Sequence, residues 1–165
     1  MNFLLDSSSV INLHNADALG LVIQLKRCRF WLPPMVLSEC QVGSAAALLE
    51  LQATNAIGFI DDDIVPTELF LELLERHDLG DGETECISIC QINGHGLCCD
   101  DRKARELARA MFGPDRVIGT IRVLRWCVEE RLIDCQNAYA LFRSMRSAGG
   151  FLPPAERSFF CAGGQ

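Results

Sequence analysis

The chain has 165 residues, 49% of them hydrophobic, and a formal net charge of −7. That length supports one domain with a real core, and the apolar content excludes extensive disorder. The acidic balance excludes a free-standing, non-specific nucleic-acid binder, which carries a basic face; it does not exclude a nuclease, whose metal-binding carboxylates themselves add negative charge. No uncharged apolar run is long enough to cross a membrane. The start, Met1-Asn2-Phe3-Leu4-Leu5-Asp6, has no basic region and meets an acid at once, so it is not read as a signal peptide and a cytoplasmic location is expected. Nine cysteines, an odd number with no Cys-x-x-Cys pair, read as small core hydrophobes and not as disulfides or metal ligands.

Asn2 to Leu5 is a short apolar run ending at Asp6, and Ser7-Ser8-Ser9 then opens a segment with Val10, Ile11 and Leu13 at helical spacing. This reads as strand, acid, helix, with Asp6 either at the strand's carboxyl end or serving as the helix cap. Ala16 to Lys26 has the spacing of an amphipathic helix. Arg29 to Leu32 reads as a second strand, stopped by Pro33-Pro34, and proline suits the first turn of the helix carrying Glu39. A lone helical glutamate is usually solvated; Glu39 becomes interesting only if the fold turns it toward Asp6. Ala45 to Ala53 is strongly helical, Ile57 to Ile60 a short strand, Asp61-Asp62-Asp63 a solvated loop, and Thr67 to Arg76 a helix.

Two glycines break the chain at Leu79-Gly80-Asp81-Gly82, Asp81 can cap the next helix, and Glu83 and Glu85 fall in its first turn, where the macrodipole favours anions. The helix ends at Asn93-Gly94. Leu97-Cys98-Cys99 is a third buried strand that delivers Asp100 and Asp101. A helix with Arg102, Lys103, Arg105 and Arg109 on its exposed side follows at once. Arg116 to Thr120 reads as a last strand and turn, with helices from Ile121 to Glu130 and from Cys135 to Arg146. Glycine and proline pairs interrupt the tail from Gly149, which is expected to pack on the domain or on a partner; the organisation is a domain over residues 1–148 and a tail over 149–165.

Short apolar strands alternating with helices predict an α/β fold, a three-layer α/β/α sandwich with a short parallel sheet. Right-handed crossovers place all strand carboxyl ends on one edge, where open α/β sheets bind ligands. Asp6 and Asp100 both stand at such ends, and Glu39 and Glu85 lie on flanking helices. Three or four carboxylates without soft ligands suit a hard ion such as Mg²⁺ or Mn²⁺, which polarises a phosphodiester and acidifies an attacking water. No Gly-rich phosphate loop, Walker lysine or Gly-x-Ser-x-Gly is present, so NTPase and serine-hydrolase readings have no footing. A receiver-type or phosphatase-like domain using Asp100-Asp101 is a weaker rival.

The set Leu4-Leu5-Asp6-Ser7-Ser8, Pro33-Pro34-Met35-Val36 to Glu39, Gly82-Glu83-Thr84-Glu85-Cys86-Ile87, Cys99-Asp100-Asp101-Arg102-Lys103-Ala104-Arg105 and Ile118-Gly119-Thr120 resembles, in order and spacing, the PIN-domain family, in its compact prokaryotic branch related to VapC-type toxins. The resemblance implies a PIN-like, Rossmann-like fold and a metal-dependent endoribonuclease, often the toxin of a toxin–antitoxin pair. It implies Asp6, Glu39, Glu85 and Asp100 as catalytic acids, with aspartate more usual at the third place. Asp6 and Asp100, or Asp101 if the alignment slips by one, would hold the metal, and Thr120 would touch the site. Arg102 and Lys103 are expected to guide the RNA backbone. Expected partners are RNA, an antitoxin protein and, by analogy, a second copy in a homodimer, with no membrane. The rival from a different class is a PIN-like module that binds RNA or protein and no longer cuts. The high cysteine content and the long tail after Gly149 depart from the family's pattern.

Overall fold

Phe3, Leu4 and Leu5 are successive residues, each at most 1% exposed, so the strand that carries them has both its faces covered. That strand, β1 (Asn2–Leu5), is the middle of the molecule. The computed structural model describes residues 1–40 and 42–161, with the backbone alone at position 62. Among the described residues it pairs with β2 (Arg29–Leu32) on one side and β4 (Gly96–Cys98) on the other. β3 (Gly58–Phe59) lies outside β2, and β5 (Val117–Ile118) lies outside β4. The order is β3-β2-β1-β4-β5 and every pairing is parallel. The chain moves outward from β1 in one direction, then returns to start again at β4. The gap between β1 and β4 is therefore the topological switch point, whose carboxyl mouth is the natural ligand site of such a sheet.

Helices complete a three-layer α/β/α arrangement. α6 (Asp81–Asn93) packs on β1 and β4, with α3 (Pro34–Glu39), α5 (Thr67–His77) and α7 (Arg102–Phe112) against it. α8 (Thr120–Glu129) packs with α1 (Ser7–Asn15), α2 (Leu19–Val22) and α9 (Cys135–Ser147), and α4 (Val42–Ala53) rests on α1. No helix among the described residues is long and apolar enough to cross a membrane.

Three local expectations are corrected. The helix expected over Ala16 to Lys26 shrinks to Leu19–Val22. Asp17 takes a positive φ of 54°, which breaks the chain ahead of it, and the backbone then leaves α2 through tight turns. Gly80, not Asp81, caps α6; its backbone N–H is answered by Glu83 Oε2 at 3.1 Å, and Asp81 is the first helical residue. Six of the nine cysteines are buried and free, as small hydrophobes should be, but Cys135 and Cys161 form a disulfide between α9 and the residue after α10 (Arg157–Phe160). The tail packs on the domain: Phe160 is fully buried and Leu152 nearly so, while Phe151 between them and Gly150 stands in solvent. The last residues, 162–165, lie outside the described part.

Candidate active site

The register aligns Leu5 with Cys98, and Asp6 N–H extends the ladder to Cys98 C=O at 3.0 Å. Asp6 and Asp100 are thereby delivered to the switch point from distant sequence, at the ends of neighbouring strands. They are 1% and 6% exposed, in the company of core residues. Each sits where a helix begins, and this is the local reason the sequence can keep two acids there. Asp6 caps α1 through Oδ2, which accepts from Ser8 N–H at 3.2 Å and from Ser8 Oγ–H at 2.6 Å. Asp100 sits at the start of α8, accepting from Thr120 N–H at 2.9 Å and Thr120 Oγ1–H at 2.7 Å. Asn12 Nδ2 donates to its Oδ2 at 2.8 Å, and Asp100 N–H donates back to Ser8 Oγ at 3.1 Å. Ser8 therefore links the two aspartates in a single hydrogen-bonded chain.

The two carboxylates are not equivalent. Asp100 accepts three hydrogen bonds from side chains and backbone. Asp6 Oδ1 is buried and accepts none. Burial pushes the Asp6 carboxyl upward, Ser8 and the Cys99 thiol at 3.3 Å oppose this, and the charge of Glu39 adds to the rise. Burial holds the thiols of Cys86 and Cys99 well above their ordinary values, and the Asp6 charge reinforces it, so neither is a thiolate competing for the role of ligand or nucleophile.

The remaining expected residues divide. Glu39, at the end of α3, reaches across to α6, accepting from Gly82 N–H at 2.8 Å. A Cβ at position 82 would stand 2.5 Å from Glu39 Oε2, so only glycine admits the carboxylate there. Glu85 is buried and turns to the first turn of α3, where Oε2 accepts from Met35 N–H at 2.9 Å. Asp101 caps α7, accepting from Ala104 N–H at 2.8 Å. Arg102 is paired with Glu106 on the exposed face of α7, and Lys103 with Asp78. Among the described residues no three Asp, Glu, His or Cys side chains close into a group that could hold an ion as they stand.

Three residues outside the expected catalytic, metal-binding and substrate-binding set join the site. Glu83 is half-buried, and its carboxyl is pushed up by burial and then by the charges of Asp6, Asp101 and Glu39, the same acids that frame the edge. Its place three residues after the Gly80 cap was the available signal. Asn12 lies one turn beyond Ser8 on α1, the helical spacing that puts both on one face. Arg105 has a buried Nε with no partner, and a Cβ at Gly119 would meet both Asp100 Oδ1, at 2.8 Å, and Arg105 Nη1, at 3.2 Å. Two clefts open here, of about 980 and about 870 Å³, and Asp100, Arg105 and Pro153 line both.

A family model described as a PIN domain matches residues 2–161. The chain belongs to the PIN-domain family. PIN domains are generally nucleases that act on RNA and use divalent metals. The crystal structure of PAE2754 from Pyrobaculum aerophilum is similar in fold to this PIN domain, with a TM-score of 0.54 at 15% identity over 78% of this chain and 90% of that one. No curated protein matches the sequence.

Proposed function

We propose that the protein is a metal-dependent endoribonuclease. The observation that carries this reading is the bare Oδ1 of Asp6, a buried carboxylate oxygen without a hydrogen-bond donor, on a carboxyl group that also feels the negative charge of Glu39. Burying an unpaired anionic oxygen is costly, and gathering further carboxylates around it raises the cost unless a cation is shared. The donor set is all oxygen, which fits Mg²⁺ or Mn²⁺ and not a soft metal. Asp6, Glu39 and Asp100 would hold the ion, with the third flanking place going to Glu83 or Glu85 and Asp101 contributing its charge beside them. When bound, a divalent ion at such a site lowers the pKa of an attacking water and polarises the phosphodiester.

The chain's own residues do the rest. Asn12 and Thr120 fix the Asp100 carboxylate, and Ser8 Oγ holds the Asp100 backbone N–H, so that the group needs no reorganisation on binding. Arg105, a cation beside the acids with a free buried N–H, is placed to meet a phosphate oxygen, more so than the exposed Arg102 and Lys103, which are ion-paired with Glu106 and Asp78. The experiment is RNA cleavage by the purified chain with Mn²⁺, beside EDTA and beside Asp6→Asn. Cleavage lost in both controls is the expected result, and cleavage that survives Asp6→Asn removes the assignment. The VapC-type resemblance extends the reading to the toxin of a toxin–antitoxin pair working in the cytoplasm as a homodimer. Growth arrest on expression of the wild type but not of Asp6→Asn is expected on that reading.

A further inference from the structure

Phe151 is 97% exposed, the highest value of any large apolar side chain among the described residues, and it is held there by an anchored segment. Gly149 turns the chain at a φ of 96°, and Gly150 N–H bonds Met145 C=O at 2.9 Å. A Cβ at Gly150 would stand 2.4 Å from Asn12 Oδ1, so the backbone presses directly on the residue that holds Asp100. Leu152 is buried next to it, and Phe160 and the Cys135–Cys161 disulfide fasten the far end of the segment. An apolar ring displayed from a backbone fixed on both sides is a built feature of the surface.

The ring lines the cleft of about 870 Å³ whose other walls carry Asp100, Asp101, Arg105 and Arg146. Aromatic face, arginines and the acid edge thus share one concavity. Aromatic rings beside cationic side chains are the means by which proteins grip unpaired nucleotides, the base stacking on the ring and the phosphate meeting the cation. The second cleft, on the α8 side, is less suited to a polyanion, since Asp115, Glu129 and Glu156 line it together with its arginines.

Resting on the ribonuclease reading above, we infer that Phe151 is the base-stacking platform of a single-stranded RNA subsite, with Arg146 and Arg105 taking the adjoining phosphates. The subsite lies beside the acids, so it holds the nucleotide flanking the bond to be cut. It also selects unpaired RNA, because a base in a duplex cannot offer its face.

The test measures binding of a fluorescent oligouridylate and of an RNA duplex to the full chain, by anisotropy in EDTA, for the wild type, Phe151→Ala and Phe151→Trp. Cleavage kinetics with Mn²⁺ run in parallel. The expected result is about ten-fold weaker oligouridylate binding for Phe151→Ala, restoration by Phe151→Trp, little change for the duplex, and a raised KM with nearly unchanged kcat. The ring is exposed, so both variants keep the wild-type melting temperature. Equal oligouridylate binding by wild type and Phe151→Ala overturns the subsite while leaving the nuclease reading intact if Asp6→Asn still abolishes cleavage. A wild type that binds no oligouridylate overturns it too, and a wild type that neither binds nor cuts RNA takes both readings down.

Discussion

The acids at the edge depend on what their neighbours lack. Gly119 has an ordinary extended backbone, with φ −130°, so its value is space and not conformation. A methyl there would stand 2.8 Å from Asp100 Oδ1, and that carboxylate cannot swing aside freely because Thr120 and Asn12 hold it from both oxygens. Gly119→Ala is therefore expected to displace Asp100 and lower Mn²⁺-dependent cleavage by roughly ten- to a hundred-fold, the usual cost of disturbing a ligand's supporting shell. Because the collision is with side chains at the sheet edge and the backbone contact, Cys99 C=O at 3.4 Å, is an ordinary one, the circular dichroism spectrum should remain that of the wild type. Wild-type cleavage by Gly119→Ala would mean that the observed placement of Asp100 is not the working one.

At the scale of the element, the helix starts explain both what could be read in advance and what could not. Asp6 and Asp100 were legible because each ends a run of apolar residues, and a buried strand that stops at an acid announces a sheet edge. Asp101 was the alternative to Asp100 if the alignment slips by one, and its role as the cap of α7, accepting from Ala104 N–H, was not foreseen. Glu83 and Glu85 could not be separated, since both lie in the first turn of α6, yet two residues on a helix are about 200° apart, so only the packing of α6 decides which one faces the acids. In the structure Glu83 shares the field of Asp6, Glu39 and Asp101, while Glu85 bonds the start of α3. Separate roles follow. Glu83→Gln is expected to weaken Mn²⁺ binding, read by calorimetry, with little change in melting temperature. Glu85→Gln exchanges a charge-assisted bond for a neutral one at a buried site, costing about 1 kcal/mol, or a few degrees of melting temperature. If instead Glu85→Gln loses Mn²⁺ binding while Glu83→Gln keeps it, Glu85 is the third ligand that the PIN resemblance implies.

At the scale of the whole molecule, the stretch from Gly149 to Cys161, which the PIN-domain match includes, is fastened to the helices before it. Cysteine counting failed here because seven free thiols conceal the one pair, and nothing in a separation of 26 residues distinguishes Cys135 and Cys161 from the others until α9 and α10 are packed together. The aromatic cluster of Tyr139, Phe142 and Phe160 brings those helices into contact, so the disulfide closes a junction that burial has already made. Its main effect is then on the unfolded chain, where a loop of that length removes entropy worth roughly 3 kcal/mol. Cys161→Ser, or dithiothreitol with the wild type, is expected to lower the thermal midpoint by several degrees without changing the spectrum of the folded state. Dithiothreitol should have no further effect on Cys161→Ser, because the remaining cysteines are free thiols. Since the tail also bears on Asn12 and through it on Asp100, the reduced protein should lose RNA affinity before it loses structure, and oligouridylate binding measured against reductant at a temperature well below the midpoint checks this. Unchanged affinity in the reduced state would show that Phe160 and Leu152 alone keep the tail in place.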